Sequence, residues 1–180
     1  MFTPISICVR LTAAIQDAIG SNFLGIKPWA IVEKHTDTEA EIMYMLSNNT
    51  KWAFAELRIN CSTDMHEPNF RHVNISAKMR QIEGPNKNFD DFLIEELMDK
   101  YKKLRINVVT GTLNYPRTNS KVAKTRTLEI RFTIHHERVN IDDLSGRTYE
   151  YETEIARKAL PYVRALEDIN EQLSFQLINM

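Results

Sequence analysis

Between Val73 and Met79 the side chains alternate without a break. Val73, Ile75, Ala77 and Met79 fall on one side of an extended chain, and His72, Asn74, Ser76, Lys78 and Arg80 on the other. A period of two buries one face of a strand and leaves the second face polar, which a helical stripe does not do. The pattern returns near the end of the chain. There Leu128, Ile130, Phe132 and Ile134 point inward against Thr127, Glu129, Arg131, Thr133 and His135. Strands of this kind are half buried and belong in a sheet with one covered face.

The remaining segments fit around them. Four extended runs, Trp29 to His35, Glu39 to Leu46, Lys51 to Cys61 and Phe70 to Ile82, are separated by short polar breaks, which predicts a β-meander. In the third run Ala53, Ala55, Leu57 and Ile59 share a face, while Trp52 and Phe54 lie opposite with Glu56 and Arg58. Ahead of the meander, Thr3-Pro4 reads as an N-cap and first helical residue. Ile7, Leu11, Ala14, Ile15, Ala18 and Ile19 follow at helical spacing, although Ile5, Ile7 and Val9 would tolerate a strand.

After the Gly84-Pro85-Asn86 breaker, Asn88, Asp90 and Asp91 open a second helix whose stripe runs from Phe89 to Leu104. Two strands, Arg105 to Tyr115 and Lys124 to Val139, form a long hairpin. A last helix begins near Glu154 with Ile155, Ala159, Tyr162, Leu166, Ile169, Leu173 and Leu177 as its stripe, and Pro161 either kinks it or marks its first turn. That stripe needs a partner, either the chain's own sheet or the same helix of a second subunit.

The expectation is an α+β fold: a largely antiparallel sheet built from a four-strand meander, a helix and a long two-strand hairpin, with amphipathic N- and C-terminal helices. A chain of 180 residues, 43% hydrophobic and 26% charged, has material for one sizeable core, so residues 1–180 read as a single domain. The order of elements resembles the layout of Whirly-type single-strand binders. The resemblance is one of layout, without a family motif, and assigns no residues.

Function is approached through charge. From Lys100 to Leu128 there are eight lysines and arginines and no acid, leaving 15 of the 23 bases against 24 acids elsewhere. One-signed patches attract oppositely charged partners and raise encounter rates. We read Tyr115, Arg117, Lys121, Lys124 and Arg126 as a mobile basic hairpin tip, around residues 115–126, that tracks phosphates. Lys102, Lys103, Arg105 and Arg131 extend its footprint. Tyr115, with Trp52 or Phe54, would stack unpaired bases, which favours single strands over duplex. Ordinary structure accounts for part of the cluster, since helix C-termini prefer cations and long hairpin tips are usually solvated and charged.

Chemistry is sparse. His35, His66, His72, His135 and His136 show no metal-ligand spacing, and His135 and His136 project to opposite faces of a strand. Cys8 and Cys61 lack CxxC spacing and read as two buried thiols of a reducing compartment. Neither a GxGxxG nor a GxxxxGK[ST] loop is present, and there is no GxSxG elbow. Paired carboxylates at 90–91, 95–96 and 142–143 suit helix starts and turns, and Asn48, Asn60 and Asn74 are chance glycosylation matches.

The sequence therefore predicts no catalytic residue, metal or cofactor. It predicts a non-enzymatic, cytoplasmic protein that binds single-stranded nucleic acid, RNA ahead of DNA, through the basic 100–138 region, with no membrane partner. The competing reading is a protein-interaction or self-assembly module whose arm docks an acidic surface or whose C-terminal helix self-associates.

Overall fold

A computed structural model describes residues 2–19, 30–47, 53–82, 89–116 and 122–179. Six strands form one antiparallel sheet: β1 (Ala30–His35), β2 (Glu39–Ser47), β3 (Ala53–Thr63), β4 (Phe70–Ile82), β5 (Asn107–Pro116) and β6 (Val122–Asn140). Their order is β1-β2-β3-β4-β6-β5, so the meander ends at β4, the second strand of the hairpin pairs beside it, and β5 is left on the edge. The helices are α1 (Pro4–Ile19), α2 (Asp91–Lys100), the single turn α3 (Ile141–Leu144) and α4 (Thr148–Asn179). The predicted α+β class and its antiparallel sheet are what the chain adopts. Among the described residues no helix is long and apolar enough to cross a membrane.

Local chemistry sets the helix ends. The Thr3 hydroxyl accepts from the Ser6 amide at 3.3 Å, so α1 forms despite its β-branched start. Asp90 caps α2 by accepting from the Leu93 amide at 3.2 Å, with Asp91 in the first turn where the helix dipole favours an acid. Helix α4 starts at Thr148, well ahead of the expected Glu154, and Pro161 lies inside it rather than at its first turn. The extra turns begin in Thr-Tyr-Glu-Tyr, which shows no apolar stripe and so gives no periodic signal.

All the helices that pack on the sheet lie on one of its faces. α1 lies across β2 and β3, α4 packs on β6, and α1 and α4 pack against each other. Between the layers Ile59, Cys61, Val73, Ile75, Met79, Leu128 and Ile130 meet Leu11, Ile15, Ala159, Leu166 and Ile169, all essentially without solvent exposure. The α4 stripe is thus buried within its own chain as far as Leu173. Cys8 and Cys61 are both free and buried, and the Cys8 thiol donates weakly to the carbonyl of Ala40 at 3.7 Å.

The ladder between β4 and β6 contains one irregularity. Ile75 aligns with His135 but Ser76 aligns with Thr133, so Ile134 is an extra residue in β6. This bulge reverses the alternation: Ile134 and His135 both turn to the helix side, and His135 does not point outward as its place in the pattern predicts. His136 stays exposed on the other side, across from Asn74.

Candidate functional site

The nine sequence-predicted residues do not form one surface. Arg117 and Lys121 lie outside the described residues, as does Trp52. Tyr115 is placed across from Ala123 and Lys124 across from Asn114, and their side chains, like that of Phe54, also lie outside the described set. Arg126 and Arg131 have opposite parity on β6. Arg126 falls on the side of Leu128 and Ile130, where α2 begins, whereas Arg131 shares the outer face with Lys78 across the ladder.

Both arginines also have acids of their own. Arg126 holds Asp91 with two nitrogens, at 2.6 and 3.3 Å, and its guanidinium lies 5.8 Å from the centre of the Phe89 ring. The guanidinium keeps the Asp91 carboxyl below its ordinary range. Arg131 pairs with Glu129, which also faces Lys78 at 3.7 Å. Burial alone would raise the Glu129 carboxyl, and Arg131 and Lys78 outweigh it, so the carboxyl is lowered. The Glu129-x-Arg131 spacing puts both on one strand face and was readable in the sequence. The Asp91 partner, 35 residues from Arg126, was not.

Lys102, Lys103 and Arg105 behave differently. They occupy a 3-10 turn that follows α2, from Lys102 to Leu104, capped by Arg105 in the left-handed region at φ 53°. Arg105 thus closes a turn, and β5 starts at Asn107, two residues later than expected. All three cations are exposed, and none has an acidic partner among the described residues. Lys100, by contrast, reaches Asp168 of α4 at 2.9 Å, beside the Tyr101 hydroxyl, which donates to the same carboxylate.

Because β5 pairs with β6 only as far as Arg131, the rest of β6 runs on along an open edge. A cleft of about 480 Å³ opens there, beside the Lys102–Arg105 turn. Its basic lining is Lys103, Arg105, Lys158, His135 and His136, and no carboxylate lines it. Asn107, Thr133 and Tyr162 complete its polar and aromatic wall, and the Tyr162 ring is stacked on Phe132 with centroids 5.4 Å apart. The two histidines do project to opposite sides of β6. They meet in one site because that site lies at the edge, where both sides are reached.

Lys158 and the histidines were missed as site residues. Lys158 lies far along the chain from the basic 100–138 region, and only packing brings it to β6. Its Nζ is 3.0 Å from His135 Nδ1, while His135 Nε2 is 2.9 Å from Glu137 Oε1. Burial would raise the Glu137 carboxyl. The Tyr151 hydroxyl and His135 reverse that and hold it below the ordinary carboxylate value, so Glu137 is an anion behind the imidazole.

A second hollow, on the outer sheet face, is lined by Glu56, Arg58, Lys78 and Arg131 and shares Asn107 and Thr133 with the first. Here charge is compensated: Arg58 faces both Glu41 and Glu56 at 3.7 Å. At the β6 edge, by contrast, Lys103, Arg105 and Lys158 have no ion-pair partner among the described residues, and the outer face beside it is a mixed polar surface. Comparison of the chain with protein-family models, with curated proteins and with solved structures gives no match in any of the three. The Whirly-like order of elements accordingly assigns nothing here.

Proposed function

We propose that this protein binds single-stranded nucleic acid, RNA ahead of DNA, in a non-catalytic role, with the β6 edge as its phosphate contact. The observation that carries the reading is the carboxylate-free cleft with Lys103, Arg105 and Lys158 in its lining and Lys102 on the adjoining turn. Fixed phosphate charges release counterions when such cations meet them, which is a large favourable term at low salt. Asn107, Thr133 and His136 add groups able to bond a ribose hydroxyl, which favours RNA. In this reading the centre of the footprint is the turn and the cleft, with Arg131 at its margin. The hairpin tip, with Arg117, Lys121 and Lys124, would extend it.

The interaction-module reading rested in part on an unpartnered α4 stripe. That stripe is covered by the chain's own sheet and by α1 as far as Leu173, which favours the nucleic-acid reading.

Titration of labelled single-stranded RNA, single-stranded DNA and duplex at several salt concentrations tests the proposal. Single-stranded RNA is expected to bind most tightly, with log K falling by about 0.7 per phosphate contact for each unit of log salt. Joint replacement of Lys102, Lys103 and Arg105 by glutamine should reduce that slope. A slope near zero, or one unchanged by the triple replacement, would defeat the proposal.

A further inference from the structure

Lys158, His135 and Glu137 lie in series at the cleft on the β6 edge. A lysine ammonium has only hydrogens to give, so at 3.0 Å His135 Nδ1 must accept from Lys158. On the far side of the ring His135 Nε2 lies 2.9 Å from Glu137 Oε1, without the geometry of a hydrogen bond. As an acceptor, His135 anchors Lys158 without cancelling its charge. No carboxylate among the described residues lies within ion-pair distance of the Lys158 ammonium. The Glu137 anion is kept one ring away from the cleft, with the Tyr151 hydroxyl beside it.

Three cations therefore border one cleft with no acid in its lining: Lys158, positioned by His135 Nδ1, and Lys103 and Arg105 from the turn. Arg105 is held there by a left-handed backbone, the only non-glycine residue of that kind among the described residues. Strained backbone of this sort persists where the surrounding structure fixes it, and it concentrates at functional sites. An internal phosphodiester brings a single negative charge. A phosphate monoester brings about −1.5 to −2 at pH 7 and three acceptor oxygens, which matches three cations better. Tyr162, fixed by stacking on Phe132, offers a flat wall for a base or ribose attached to that phosphate.

We infer that the cleft recognises a nucleotide phosphate monoester, at a strand terminus or on a free mononucleotide. The inference rests on the nucleic-acid reading above and specifies which phosphate that site prefers.

Its test uses the full chain and one RNA oligonucleotide, labelled internally, with hydroxyls at both ends, with a 5′-phosphate, or with a 3′-phosphate. One of the phosphorylated forms is expected to bind at least about tenfold more tightly than the hydroxyl form, the scale of one charge-assisted hydrogen bond. Lys158→Met should erase that gain while leaving the thermal unfolding midpoint within a few degrees, because the side chain is exposed. Competition with adenosine monophosphate separates the two sources. Displacement at concentrations comparable to the phosphorylated strand assigns the cleft to free nucleotides, and displacement only at far higher ones assigns it to strand ends; either supports the inference. Equal affinity for all three ends overturns the monoester preference and leaves the nucleic-acid reading intact, whereas no binding of any strand overturns both.

Discussion

The ammonium of Lys158 in α4 stands 3.0 Å from His135 Nδ1 in β6, joining the long helix to the sheet at the one place where β6 has no β5 neighbour. The contact exists because of the bulge at Ile134. Were β6 regular here, with Ile134 rather than His135 paired to Ile75, His135 would fall on the outer face with Thr133, away from Lys158.

The proton position follows from this geometry. In 15N-resolved spectra of the imidazoles, the neutral His135 ring should carry its proton on Nε2 and leave Nδ1 as the acceptor. Lys158→Met should weaken that preference, because it removes the donor to Nδ1. A His135 ring protonated on Nδ1 in the intact protein would contradict the arrangement.

Acid should unfold the protein through its carboxylates. Asp64 accepts from the amides of His66 and Glu67 and from His72 and Arg138, which together push its carboxyl well down. Asp91, Glu129, Glu137 and Asp168 are lowered as well. A group whose folded pKa is depressed stabilises the fold above its unfolded pKa, about 4 for carboxyls, and that stability disappears as pH falls through the folded value. The midpoint of thermal unfolding should thus drop steeply below about pH 4. Asp64→Asn should melt earlier than the native chain at pH 7, with the gap closing in acid. A gap that persists at low pH would show that charge is not the cause.

Arg126 provides a test in the opposite direction. Asp91→Asn removes the carboxylate that now takes two of its nitrogens, and so increases the positive field beside the hairpin. Oligonucleotide affinity at low salt should rise, about twofold or more, with at most about 1 kcal/mol lost from the start of α2. A fall in affinity would argue that Asp91 itself serves the interface.

Gln81 is fully buried on the helix side of β4, and neither its amide oxygen nor its nitrogen has a hydrogen-bond partner among the described residues. A buried amide of this kind costs about 1–3 kcal/mol in lost hydration. Gln81→Met keeps the volume and removes the polar atoms, so denaturation should show a gain on the order of 1 kcal/mol, or roughly 2–4 °C. Destabilisation instead would mean that the amide is satisfied.

Much of the fold was legible because it depends on local periodicity. The alternation at Val73 to Met79 and at Leu128 to Phe132 placed β4 and most of β6, and Thr3-Pro4 placed the start of α1, whereas the second helix, expected to open at Asn88, begins at Asp91 with Asp90 as its cap. The site was less legible. A stretch without acids looked like one free basic surface, yet Arg126 finds Asp91 on α2, 35 residues away, while the Glu129 partner of Arg131 was visible in the strand pattern. Among the described residues of that stretch, the cations without an acidic partner, Lys102, Lys103 and Arg105, gain Lys158 from a helix that follows both strands.

By itself, then, the sequence determined which segments are extended, which are helical and which face of each is apolar, since those follow from side-chain order along a single strand or helix. Only the tertiary structure decided how charge is distributed, because Coulomb partners are chosen by distance in space and not along the chain. It also decided, through one inserted residue in β6, that His135 faces Lys158 and Glu137. A bulge is a property of two paired strands, and neither strand's own pattern records it.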